Sequence, residues 1–179
     1  MAIIDVENTR IAKLGKYLET ILEELNSEYK KINADFLGIE VNNYSLDKIP
    51  TASVVEPYVT GGRLCRDVYS FRSRNPYSSD RLSNLKNIGF FESFQRIISS
   101  NNDEGILPNI DRIISIECLN QGTFNYADES MKTAVFDIQL QIIYEEENNE
   151  SKNWFYIKWQ ILWRKQGNWT WWNKIWRSN

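Results

Sequence analysis

The stretch "TAVFDIQLQIIYEE", Thr133 to Glu146, decides the fold. Phe136, Ile138, Leu140, Ile142 and Tyr144 alternate with Asp137, Gln139 and Gln141, a two-residue period that gathers the apolar side chains on one face of an extended strand. It is the clearest strand in the chain. Just upstream, "RIISIECLN" (112–120) reads as another strand. Downstream, "WFYIKWQILWRK" (154–165) sets Phe155, Ile157, Trp159, Ile161 and Trp163 against Lys158, Gln160 and Arg164, again with period two. The connection "EEENNESKN" is polar and turn-like, so the simplest topology is a hairpin between the two. "QGN" breaks the pattern, and "WTWWNKIW" extends as a further short strand.

Two segments carry helical spacing instead. "NTRIAKLGKYLETILEELNSEYKKI" places Ile11, Leu14, Leu18, Ile21, Leu22 and Leu25 on one face, with Asn8 or Thr9 as the cap. Lys13, Lys16, Glu19, Glu23 and Glu24 form its solvated side. The second segment, "RLSNLKNIGFFESFQRIISSNN" (81–102), aligns Leu82, Leu85, Ile88, Phe91, Phe94 and Ile98 at three- and four-residue steps. Ser78, Ser79 or Asp80 serves as its cap, and "DEGILPNI" ends it.

Between them, Pro50, Pro57 and the Gly61-Gly62 pair punctuate a region of extended segments and turns. "LCRDVYSFRSR" then alternates Cys65, Asp67, Tyr69 and Phe71 with Arg66, Val68, Ser70 and Arg72, a strand with mixed faces. With 179 residues, 42% apolar and 13% aromatic, the chain suits one compact α+β domain with appendages.

Charge and tryptophan are unevenly placed. All seven tryptophans lie in the last twenty-six residues, and the last twenty-nine carry a net +6, leaving −9 on the first 150. An acidic body therefore bears a basic, tryptophan-rich tail. Two partners suit such a tail: nucleic acid, through stacking and charge neutralisation, or the acidic surface of a neighbouring subunit. An acidic body opposes a phosphate backbone, so the neighbouring subunit is the favoured reading.

The residue types also exclude much chemistry. With no histidine, the Ser-His and Cys-His pairs and the commonest zinc ligand are absent. Cys65 and Cys118 lack metal-ligand spacing and read as reduced, structural thiols, and neither a dinucleotide fingerprint nor a phosphate-binding loop occurs. The run Glu145, Glu146, Glu147 and Glu150 reads as an acidic hairpin loop or a cation site, the loop being favoured. Arg72 and Arg74 lie between aromatics, suited either to phosphate or to salt bridges with an acidic neighbour. Nothing here assembles a catalytic site, so no enzymatic activity, cofactor or metal is expected. No run is long enough to span a bilayer, and "MAIIDVENTR" becomes charged before a signal-peptide stretch forms, so a soluble protein made in the cytosol is expected.

Taken in order, "FLGIEVNNYSLDKIP" (36–50), a glycine turn at "VTGG" (59–62), "SFRSRNPYSSD" (70–80), "NIGFFESFQRII" (87–98), "GILPNI" (105–110) and "QLQIIYEEE" (139–147) resemble the minor capsid or tail-terminator proteins of long-tailed phages. Such proteins also occur in phage-tail-like bacteriocins. The resemblance covers about residues 10–147. It implies a mixed, largely antiparallel sheet flanked by two main helices. Copies would form a ring, usually a hexamer, that caps the tail tube, stops its polymerisation and joins it to neck, collar or sheath proteins. Genome DNA would pass through the ring without sequence-specific binding, no membrane would be involved, and the particle would assemble in the bacterial cytoplasm. A head–tail connector or minor capsid component is the alternative role, and a nucleic-acid-binding module using the tail a more distant one.

Beyond residue 150 the resemblance has no counterpart. Residues 1–152 are therefore read as the tail-terminator-like domain and 153–179 as an extension of strand plus docking arm. Trp169, Trp171, Trp172 and Trp176, with Arg72 and Arg74, are the candidate subunit-interface residues.

Overall fold

The computed structural model describes residues 5–25, 31–59, 61–128 and 132–147. The tryptophan-rich extension, with its expected strand at 153–165 and its docking arm, lies outside the described residues. Two helices, α1 (Arg10–Glu24) and α2 (Arg81–Glu104), accompany seven strands in one sheet. The strands are β1 (Lys31–Ala34), β2 (Asn43–Ile49), β3 (Val54–Pro57), β4 (Arg63–Pro76), β5 (Ile113–Cys118), β6 (Thr123–Ala127) and β7 (Thr133–Glu146). The order is β1-β2-β4-β7-β5, with β3 continuing the β2 position beside β4 and β6 continuing the β5 position beside β7. All pairings are antiparallel except β1 with β2. The expected α+β fold with a mixed, largely antiparallel sheet is thus the observed one.

β4 and β7 form its spine, paired without a break from Arg63 opposite Glu146 to Pro76 opposite Thr133. The alternation in both strands explains why. Cys65, Asp67, Tyr69, Phe71, Ser73 and Asn75 of β4 lie buried on the same side as Ala134, Phe136, Ile138, Leu140, Ile142 and Tyr144 of β7. α1 adds Leu14, Leu18, Ile21 and Leu22 over this face, and α2 adds Phe91, Phe94 and Ile98, in one continuous core. Rings run through it, with Tyr44 stacked on Phe71 at 5.4 Å and Phe71 on Phe94 at 5.1 Å. Such pairs each contribute about 0.5–1.5 kcal/mol beyond their buried area.

Local chemistry sets the helix ends. Thr9 caps α1 by accepting from Ala12 N, and Asp80 caps α2 by accepting from Ser83 N. Each cap satisfies an otherwise orphaned amide, a contribution of about 1 kcal/mol. α2 stops at Gly105, whose φ of 74° is left-handed, while Ile106 N bonds back to Asn101 O at 2.7 Å.

Three expectations need correction. First, the apolar stripe of α2 does not stay on one face. A step of three residues turns the helix about 300°, some 60° short of a full turn. Three such steps from Leu82 to Phe91 therefore carry the direction about halfway round. Phe91 is 2% exposed, whereas Leu82 is 62% and Ile88 50% exposed. Second, β7 has no free edge for a hairpin with 153–165. β4 occupies one side. β5 and β6 occupy the other, and Leu119 N and Asn120 Oδ1 bond Gln139 between them. Third, Glu145 and Glu146 belong to β7 itself rather than to a loop.

β6 and β1 were not foreseen as strands. β1 lies parallel to β2, so residues 35–42 must double back along it within eight residues, and Asp35 (φ 51°) and Asn42 (φ 59°) turn left-handed to do so.

Gly122, just before β6, is required for α2 to seat. A Cβ there would stand 2.2 Å from Phe91 Cγ. Gly122→Ala is therefore expected to push Phe91 or the β5–β6 turn outward and to destabilise by about 1–3 kcal/mol, the range for overpacking. A urea midpoint equal to that of the parent would refute the contact.

Candidate subunit interface and charged cleft

Three surfaces of the described body carry exposed or charged side chains that the core does not account for. The first is apolar. Leu82, Leu85 and Ile88 project from the outer side of α2, and Phe124 and Tyr126 from β6, all between 46% and 62% exposed. All but Tyr126 lie on the helix side of the sheet; Tyr126 pairs with Val135 and so faces the opposite side, near Arg72. Phe90 reaches toward Tyr44 of β2 with ring centroids 6.1 Å apart, and Ile88, two residues earlier, points about 160° away, toward the β6 side. Tyr77 and Phe124 pack at 5.6 Å beneath the start of α2, where Asn87 Nδ2 donates to Pro76 O. Phe36 and Ile39, in the loop that doubles back to β2, are also exposed near this end of the sheet.

The second surface is a cleft of about 480 Å³ at the opposite end of β7, lined by Asn8, Arg10, Lys13, Ile110, Asp111, Arg112, Tyr144, Glu145, Glu146 and Glu147. Its three glutamates are engaged. Glu145 accepts from the Tyr58 hydroxyl at 3.1 Å, Glu146 pairs with Arg63 at 2.6 Å and with Arg10 at 3.5 Å, and Glu147 pairs with Arg112. Behind the cleft sits Asp67, only 2% exposed, held by Arg10 at 3.0 Å and by Lys48 at 2.8 Å. The Arg10 guanidinium also lies 4.4 Å over the Tyr144 ring. This is an ion-pair network tying the start of α1 to β2, β4 and the end of β7. Among the described residues no group of three or more Cys, Asp and Glu side chains is arranged to hold a metal ion.

The third surface is the sheet face away from the helices, where both sequence-selected arginines lie. Arg72 pairs with Asp47, and this hydrogen bond is the main reason its pKa is raised. Arg74 Nε donates to Gly38 O at 2.8 Å and its Nη1 to Thr133 Oγ1 at 3.1 Å. Both guanidiniums therefore brace β4 against neighbouring segments of the same chain. The tryptophans chosen as interface candidates, Trp169, Trp171, Trp172 and Trp176, lie outside the described residues. The apolar flank of α2 and β6 was missed as a surface. The signal was present in the run of three-residue steps.

Burial keeps the thiols and phenols packed in and against the core protonated. Burial pushes the Cys118 thiol and the Tyr144 hydroxyl up to about 12, and raises Tyr69 in the same direction. Cys65 is raised by burial as well, so neither thiol is primed as a nucleophile. Because the folded values lie above ordinary values of 9 for cysteine and 10 for tyrosine, the unfolded chain releases these protons first. Stability is accordingly expected to hold below about pH 9 and to fall as pH rises toward 12, by at most about 1.4 kcal/mol per pH unit for each group. Urea midpoints at pH 7, 9.5 and 11 measure this, and a flat series would contradict it. Cys118→Ala should reduce, without abolishing, the fall that begins near pH 9, because Cys65 is raised from the same ordinary value.

No helix among the described residues is long and apolar enough to cross a membrane. No protein-family model matches the chain, and no characterised protein matches it in sequence.

Proposed function

We propose that this protein is a structural subunit of a phage tail or phage-tail-like particle, a tail terminator whose copies form a ring that caps the tail tube and joins it to the neck. The observation that carries this reading is the exposed apolar flank formed by Leu82, Leu85 and Ile88 of α2 with Phe124 of β6. Side chains of this kind, grouped on one side of a small domain beside an edge strand, are what a protein–protein contact covers. The ordered sequence resemblance and the tryptophan-rich, basic extension on an acidic body support the same reading. Arg72 and Arg74 are spent on contacts within the chain, which leaves the nucleic-acid alternative to the basic tail alone, opposed by the acidic body.

A ring built from one repeated head-to-tail contact has a fixed copy number. Mass measurement of the purified protein and class averages of the particle's neck are expected to show such a ring, most simply a hexamer. A strictly two-fold dimer or a single copy per particle would overturn the proposal. Deleting the gene should give tails of uncontrolled length without heads, because tube subunits then add without competition from a cap. Normal, narrow tail lengths would point to the head-side connector role.

A further inference from the structure

We infer that the α2–β6 flank is the acceptor for the tryptophan-rich end, Trp169 to Trp176, of a second copy of this chain. The inference rests on the ring-forming reading and specifies its contact. β6 is paired only with β7 among the described residues, so on the helix side it presents an aromatic edge at Phe124 beside Leu85 and Ile88 of α2. An apolar edge left bare is an aggregation site, and natural sheets cover it.

The placement of donor and acceptor suits a contact between copies. The extension begins after Glu147, at the end of β7 that pairs with Arg63. The acceptor lies at the other end, where β6 pairs with residues 134–137 and α2 begins beside Pro76. Along a strand of this length the two ends are roughly 43 Å apart. Donor and acceptor at opposite ends of one body make a head-to-tail contact, the kind that closes into rings. The 21 residues from 148 to 168 span at most about 75 Å, enough to reach a neighbour's flank as well as the chain's own, and the dilution series below tells the two apart. Charge agrees, since the last twenty-nine residues carry +6 and the first 150 carry −9.

All seven tryptophans lie in the extension, so intrinsic tryptophan fluorescence of the full chain reports on that segment alone. The test compares the parent with Leu85→Glu/Ile88→Glu, two changes at half-exposed positions that leave the core untouched. Sedimentation mass and emission wavelength are read across a dilution series, with far-ultraviolet circular dichroism checking the fold. The parent should be oligomeric with blue-shifted emission. The variant should stay folded, need roughly a hundredfold higher concentration to assemble, and lose the blue shift. If the folded variant keeps both oligomer and blue shift, the acceptor is elsewhere and the ring reading stands. Blue-shifted emission that persists in a monomer at every dilution and is lost in the variant would mean docking on the same copy, which overturns the exchange. A monomeric parent with red emission would overturn the ring reading and this contact together.

Discussion

Truncation after Gly167 is expected to leave a folded α+β body that no longer assembles, or that fails to attach to the tail. The described core is complete without the removed residues, since every strand from β1 to β7 and both helices precede residue 148. Secondary structure should therefore survive. What is lost is Trp169, Trp171, Trp172 and Trp176. Burying three such rings, each covering about 150–250 Å², yields on the order of 10 kcal/mol gross at about 25 cal/mol per Å². Ordering and association costs cancel much of that, yet a contact repeated around a ring needs only part of it. Sedimentation and far-ultraviolet circular dichroism measure the two halves of the prediction separately. A truncated protein that assembles and terminates tails as well as the full chain would make the arm dispensable, an extension under no selection.

The elements legible in the sequence share one property: their burial is set by their own periodicity. From Phe136 to Tyr144 the burial of β7 alternates residue by residue. α1 mixes three- and four-residue steps, which average to the helical repeat, and its Leu14, Leu18, Ile21 and Leu22 are all in the core. α2 opens with three-residue steps only, so its stripe spirals off the core and Leu82 ends on the outside. The mistaken hairpin has a different cause. Pairing sequence neighbours is the cheapest guess, but β7 lies between β4 and the β5–β6 pair, and strand order is set by long-range packing. β6 escaped because "TFNYA" is short and its aromatic residues do not enter the core as a run. Asp67 was placed on the apolar side of its strand from alternation alone, yet its partners could not be read, since Arg10 lies 57 residues away.

That buried carboxylate provides the second large effect. Replacing Arg10 and Lys48 together by Ala should destabilise the fold by about 3–5 kcal/mol, because it leaves the Asp67 charge desolvated without a partner. For a chain of this size that corresponds to a fall of about 6–20 °C in Tm. Asp67→Asn should cost far less, about 1 kcal/mol. The reason is the asymmetry of exposure: Arg10 and Lys48 are 40% and 51% exposed and can return to water, whereas Asp67, at 2%, cannot. Adding Asp67→Asn to the double variant should therefore recover most of the loss, a coupling that a purely packing role for Arg10 would not produce. Thermal unfolding of the four proteins measures this, and a double variant no less stable than Asp67→Asn alone would sink it. The same network reaches Glu146, the last residue of β7, through Arg10 and Arg63. Loss of the two cations should consequently loosen the end of the sheet from which the C-terminal extension departs, so that assembly falls at temperatures where the core is still folded.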